Sequence, residues 1–183
     1  GKPVLVPVPE LCLTTQTVAH LKPRLHFNVT MLHKNMNDSK RLQAWQHAQT
    51  GKASIVIGTR SAIYTPLPHL GLIILDEEHD LSYKQQEGFR YHARDVALYR
   101  GHLQQCPVIL GSATPSIDSY HLVESGKLHL LELNQRAGVA SLPKMHVIDL
   151  KVAKKQHGIS QPLIEQIRQT LERKEQVLIF LNR

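Results

Sequence analysis

Apolar residues along the 183-residue chain come in short runs, each cut off by small, polar or charged residues and followed by a stretch of helical period. Residues 3–8 (PVLVPV), 27–32, 53–58 (ASIVIG), 72–75 (LIIL) and 107–110 (PVIL) read as strands, and the run 72–75, which lacks polar alternation, predicts one covered on both faces. Thr14 or Thr15 is placed to cap a helix running to about Leu21. The cluster Asn37-Asp38-Ser39 opens another, which stops at Gly51 and is expected to bury Leu42, Trp45 and Ala48 with Lys40 and Arg41 outside. Residues 92–103 predict a helix burying Val96, Ala97 and Leu103, and residues 116–123 a further one. Residues 128–133, 145–150 (MHVIDL) and 176–181 (QVLIFL) read as strands. Ser160 is expected to cap a last helix, with Leu163, Ile164, Ile167 and Leu171 at helical spacing. Alternating strands and helices predict an α/β fold on a parallel sheet.

The pattern weakens between Asn134 and Gly158, a basic segment with Gly138, Pro143 and a turn at residues 154–158. A domain boundary is expected there, giving a first domain at 1–140, a linker at 141–158 and the start of a second domain at 159–183. Lys151, Lys154 and Lys155 read as a solvated linker.

One stretch changes the picture from fold to chemistry. Residues 70–80 read LGLIILDEEHD, so the apolar run Leu72 to Leu75 ends in Asp76, Glu77, Glu78 and His79. In a parallel sheet the ligand crevice lies at the carboxyl ends of the strands. Acids there suit a nucleotide: one carboxylate holds magnesium, the next prepares a water for attack on a phosphate. An acidic solvated turn fits the same letters.

A second run, Gly111-Ser112-Ala113-Thr114-Pro115-Ser116, follows another strand. Small residues let the backbone pass close to a neighbour, and the hydroxyls supply short hydrogen bonds; a plain strand-to-helix turn would look alike. The loop at 82–92 interleaves Tyr83, Phe89 and Tyr91 with Lys84, Arg90 and, just after it, Arg94. Aromatic faces stack on unpaired bases while cations follow phosphates. Such density stands out in a chain with 5% aromatics, although Tyr83 is expected to pin the loop to the core. Thr59, Arg60 and Ser61 follow a strand and suit phosphate oxygens, or simply make a turn.

Composition narrows the field. Hydrophobic residues make up 42%, enough for a core. No apolar run is long enough for a membrane helix, and no secretory leader is visible. Two cysteines, Cys12 and Cys106, form no C-x-x-C pair and are expected to be reduced, in a cytoplasmic protein; with twelve scattered histidines they assemble no zinc site. A net charge of +7 favours an anionic partner. Gly-Lys occurs at 1–2, 51–52 and 126–127 but never before Ser or Thr, so the phosphate-gripping pattern G-x-x-x-x-G-K-S/T is missing. The chain starts in a strand pattern and ends on an apolar run, and is therefore expected to be an internal piece of a longer one.

Asp76-Glu77-Glu78-His79 matches the D-E-x-H form of the Walker B motif of superfamily 2 helicases, and Ser112-Ala113-Thr114 their S-A-T motif. Together with Val8-Pro9-Glu10-Leu11, Ile57-Gly58-Thr59-Arg60-Ser61-Ala62 and the stretch from Ser82 to Asp95, the chain resembles the bacterial primosomal replication-restart helicases. The resemblance implies a RecA-like three-layer parallel sheet with helices on both faces: a truncated first helicase lobe and the opening of the second. It implies ATP and magnesium as cofactors, with Asp76 holding the metal through water and Glu77 preparing the attacking water. His79, Ser112 and Thr114 would couple nucleotide state to DNA contacts. Thr59, Arg60, Ser61, Lys84, Phe89, Arg90, Tyr91, Arg94 and Thr14 would face nucleic acid; a cap role fits Thr14 nearly as well. Phe89 stands where the family often has tryptophan. Implied partners are single-stranded and forked DNA, single-strand-binding protein and primosome proteins, with no membrane. A zinc-binding cysteine cluster and an arginine finger would lie beyond Arg183. Two other readings share some features: a restriction or repair translocase motor, and a non-catalytic nucleic-acid-binding domain.

Overall fold

A computed structural model describes residues 1–9, 27–135, 143–153, 155, 156 and 158–180. These fall into two compact units, Gly1–Leu131 and Glu132–Arg183. The helix expected from Thr14 or Thr15 to Leu21 lies outside the described residues, as does Thr14 itself.

The first unit is built on five parallel strands. β1 (Val4–Pro7), β2 (Val29–Leu32), β3 (Ile55–Gly58), β4 (Leu72–Leu75) and β5 (Val108–Leu110) stand in the order β2-β3-β1-β4-β5. Every pairing is parallel, with Leu5 opposite Val56 and Ile73, and Leu75 opposite Leu110. Branched side chains fill the pleat, and Leu5, Val56, Ile73 and Leu75 are fully buried. All five strands therefore end at one edge of the sheet. The α/β parallel architecture expected from the alternation of runs is the one observed.

α1 (Asp38–Gln49) starts where Asn37 accepts the Lys40 N–H at 2.9 Å. The helix buries Ala44 and Ala48, not Leu42 and Trp45, which are exposed. A stripe of two alanines lets the helix axis approach the sheet closely, and Leu42 lies on the far side of the wheel from Ala44. α2 (Ala93–Gln104) follows the same rule, burying Ala93, Arg94, Ala97 and Gly101 while Leu103 points out, against expectation. A Cβ on Gly101 would collide with Val108, so the helix can lie against β5 only with glycine there. α3 (Ile117–Glu124) is capped by Ser116, whose hydroxyl accepts the Ser119 N–H at 3.2 Å.

Three expected strands do not form among the described residues. Residues 128–133, 145–150 and 176–180, the described part of 176–181, take no strand conformation, and Leu131, Leu133, Val147, Leu178 and Phe180 are exposed. A strand persists only where a neighbour satisfies its ladder, and no partner strand is described for any of them. The second unit instead has a short antiparallel pair, β6 (Lys155–Gln156) with β7 (Ile159–Ser160), followed by α4 (Gln161–Glu172). Ser160 occupies the N-cap position of α4 without making a side-chain cap bond. Phe27, expected at the start of β2, is exposed and precedes the strand.

Candidate nucleotide and nucleic-acid site

The β4–β5 register sets the acid run beside the small-residue run. Gly111 donates its N–H to the Leu75 carbonyl at 2.7 Å, and Glu78 donates its N–H to the Gly111 carbonyl at 3.0 Å. A Cβ on Gly111 would stand 3.4 Å from Asp76 Oδ1, so the absence of a side chain leaves room beside that carboxylate. Asp76 is exposed, and its Oδ1 accepts the Glu77 N–H at 3.1 Å. Glu77 has φ +49°, the left-handed region, which turns the chain sharply at the strand end. Glu77 Oε2 lies 3.6 Å from His79 Nδ1, which lies 2.7 Å from Ser112 Oγ. Ser112 Oγ in turn accepts the Thr114 N–H at 3.0 Å. The fold thus gathers Asp76, Glu77, His79, Ser112 and Thr114 at one strand edge.

Glu78 behaves differently from its neighbours. Its side chain is 1% exposed. It accepts the Ser116 N–H at 2.7 Å, the Ser119 hydroxyl at 2.8 Å and the Ser116 hydroxyl at 3.1 Å, and it pairs with Arg94 at 3.5 Å. Burial alone would raise its pKa; the serine hydrogen bonds and then the Arg94 charge outweigh that and hold the carboxyl below its ordinary range. Arg94 was expected to face nucleic acid. Its side chain is 8% exposed and is spent inside the protein, on Glu78, Asp95 at 3.1 Å, Asp118 at 3.4 Å and the Ser116 hydroxyl at 2.8 Å. A buried carboxylate needs a cation and donors, and Arg94 supplies the cation. Sequence reasoning passed over Glu78 because it is the variable letter of D-E-x-H.

The loop that follows is a short hairpin. Lys84 bridges His92, and Gln85 donates its N–H to the Tyr91 carbonyl at 2.8 Å. Gly88, at φ +66°, turns its tip. Tyr83 is fully buried, as anticipated; its hydroxyl lies 2.6 Å from the Asp76 carbonyl and 3.0 Å from the Pro7 carbonyl. Arg60 donates from Nη1 to the Ser82 and Lys84 carbonyls, both at 2.9 Å. Arg60 therefore braces the hairpin from β3. Phe89 is 81% exposed, and its ring centroid lies 6.2 Å from that of Tyr91. Tyr64 packs edge-on against Tyr91 at 5.0 Å and is itself exposed, so three rings share one surface. Sequence reasoning missed Tyr64; spacing could not bring it to a loop that far along the chain. Lys84, Arg90 and Ser61 are exposed, whereas Thr59 is 7% exposed.

Among the described residues no three His, Cys, Asp or Glu side chains converge as a metal cage. The exposed Asp76 carboxylate, with open space left beside it by Gly111, still fits magnesium, which keeps most of its water and takes one or two carboxylates beside substrate phosphates. No helix of the described residues is long and apolar enough to cross a membrane.

The family model for DEAD/DEAH box helicases matches residues 1–123. Among curated proteins, the replication restart protein PriA of Haemophilus influenzae is 50% identical over 183 residues, covering all of this chain and 25% of that protein. Those of Chlamydia pneumoniae and Bacillus subtilis are 45% and 37% identical, again over all of this chain and over 25% and 23% of theirs. The chain spans about a quarter of the length of these relatives.

Proposed function

The chain belongs to the DEAD/DEAH box helicase family, and from that premise we propose that it is the magnesium- and DNA-facing part of an ATP-driven motor. In the whole protein this motor acts in replication restart, as the names of its relatives suggest; 3′-to-5′ movement on single-stranded DNA at stalled forks belongs to the proposal through the motif resemblance alone. The observation that carries the reading is the joining of two chemistries. An exposed acid turn, bonded through His79 to Ser112, is continuous with a hairpin that displays aromatic rings.

In this reading Glu77 orients the attacking water and accepts its proton. Asp76 would hold magnesium through water; the ion, when bound, neutralises charge on the phosphates. His79, Ser112 and Thr114 carry the nucleotide state to the DNA side. Phe89 and Tyr91 stack on bases, while Lys84, Arg90, Ser61 and the free face of Arg60 follow phosphates without reading sequence. Single-stranded and forked DNA are the substrates; single-strand-binding protein and primosome proteins are the proposed partners. The compartment is the cytoplasm, and structural zinc belongs to the whole protein outside these residues.

Glu77→Gln in the full-length protein tests the assignment. It should reduce ATP turnover by at least about a hundredfold while nucleotide affinity stays within a few-fold, the range expected for losing a general base. Substantial residual turnover would remove Glu77 from the water-orienting role. A wild-type protein that binds DNA and hydrolyses no ATP would instead favour the non-catalytic reading, to which the missing G-x-x-x-x-G-K-S/T pattern leaves room.

A further inference from the structure

The chain leaving β3 makes one 3-10 turn, Arg60–Tyr64, and then runs out extended at Thr65 (ψ 128°), as the following Pro66 requires. Beside it, Val96 and Arg100, four residues apart on one face of α2, close an open cleft of about 460 Å³. That volume lies within the roughly 300–1,000 Å³ usual for small-ligand sites. Ile63, Pro66, Leu67 and Val96 give it apolar walls, and no carboxylate lines it. Two polar groups in it are left unfinished. Arg100 donates from Nη1 to the Ile63 carbonyl at 2.5 Å, and no other bond or ion pair engages its guanidinium among the described residues. Burial draws its pKa down, opposed only by the Cys106 thiol. Thr65 is fully buried in the cleft wall, and its hydroxyl has no hydrogen-bond partner among the described residues. Such a hydroxyl is costly to leave bare, and a polar edge entering the cleft can supply what it lacks.

We propose that this cleft takes one unstacked base of the DNA strand and favours guanine. The proposal rests on the reading of the chain as the DNA-facing part of a motor. Position argues for nucleic acid: Tyr64 lines the cleft and also packs against Tyr91, so the ring surface that begins at Phe89 runs into its mouth. Charge argues the same way, because a guanidinium without an acid beside it suits a ligand rich in acceptors. The choice of base follows from Arg100. With Nη1 turned to Ile63, Nε and Nη2 remain as a side-by-side pair of donors. Guanine presents two acceptors, O6 and N7, to such a fork. Adenine places an amine donor where guanine has O6, and the pyrimidines have no N7. A base can enter a cleft of this kind only from a single strand, where it is free to leave its neighbours. Elsewhere the proposed track follows phosphates; at this one position a base edge is read.

The test uses the full-length protein and fluorescent single strands of equal length, with affinity read by anisotropy. One strand is all thymine, one alternates thymine with guanine, and one carries 7-deazaguanine in place of guanine. The 7-deaza base keeps the stacking face and lacks the N7 acceptor. The guanine strand should bind about tenfold tighter than the thymine strand, the discrimination of one good bidentate pair, and the 7-deaza strand should lose most of that gain. Arg100→Lys keeps the charge and loses the fork. It should bind the thymine strand within about twofold of wild type and the guanine strand no better than the 7-deaza strand. Equal affinity for the thymine and guanine strands would overturn the proposal. So would a preference that 7-deazaguanine keeps in full, which stacking alone would explain. The 7-deaza comparison on the wild type decides alone if Arg100→Lys fails to fold. Free guanosine monophosphate, titrated as a competitor, should displace the guanine strand only weakly; binding as tight as the strand's would make the occupant a free nucleotide and overturn the assignment to DNA. A wild-type protein that binds none of the strands would sink the DNA-facing reading itself, a different result from any of these.

Discussion

Glu78 and Phe89 mark the two extremes of what a single side chain does here: one is sealed inside, the other is held out in solvent. The Glu78 carboxyl is held below its ordinary pKa near 4.3, so its ionised form stabilises the fold. That contribution is fully present above the unfolded value and is lost as pH falls through the folded one. His92 is also lowered, by burial and then by the Arg94 charge, while its ring accepts the Arg94 N–H at 3.3 Å. Its contribution is present above the unfolded value near 6.5 and fades below it. Melting temperature should therefore hold steady above pH 7, decline from about pH 6.5, and fall more steeply below about 4.3; Glu78→Gln should flatten the acid limb. Phe89 carries the opposite role. Phe89→Ala in the full-length protein should weaken single-strand affinity by about 1–3 kcal/mol, the worth of one stacked base, and lower DNA-stimulated ATPase with it. Unchanged affinity would take the hairpin tip off the DNA track.

The elements show which parts of a sequence speak plainly. The runs at β1, β3, β4 and β5 were legible because strands in a parallel sheet need apolar residues without alternation. The clustering of Asp76, Glu77, His79, Ser112 and Thr114 was legible through the motif resemblance and the carboxyl-edge rule. Helix faces were not. α1 and α2 approach the sheet through Ala44, Ala48, Ala97 and Gly101, and small residues carry little hydrophobic signal against Leu42 or Leu103. The Arg94–Glu78 pair was hidden because charge in a sequence reads as surface, and only the packing reveals that each neutralises the other. Close approach is tightest at Gly58, where a Cβ would stand 2.5 Å from Ala62 Cβ and 2.6 Å from the Leu32 carbonyl. Gly58→Ala should thus cost about 1–3 kcal/mol of stability in a denaturant titration, by pushing β2 away from the strand end. A neutral result would mean that the β3 end is looser than its contacts indicate.

At the scale of the whole chain, the proposed site is one half of a catalytic apparatus. The acids and the stacking surface are present, but no G-x-x-x-x-G-K-S/T pattern occurs in the 183 residues. The chain purified alone should show no ATP hydrolysis above background with or without DNA, and robust turnover by a phosphate-release assay would overturn the division of labour proposed above. Its charge of +7 should still draw it to oligonucleotides, with an affinity that falls steeply as salt rises. The run from Gln176 to Leu181 then takes on another meaning. It is uncharged and free of proline, and in its described part Leu178 and Phe180 stand exposed without strand partners. A six-residue run of this kind, with Val177, Ile179 and Phe180 as its β-prone members, has the composition of a steric zipper. The segment that would give a neighbouring sheet its first strand is, when left unpaired, the place where copies of this chain can begin to stack into fibrils.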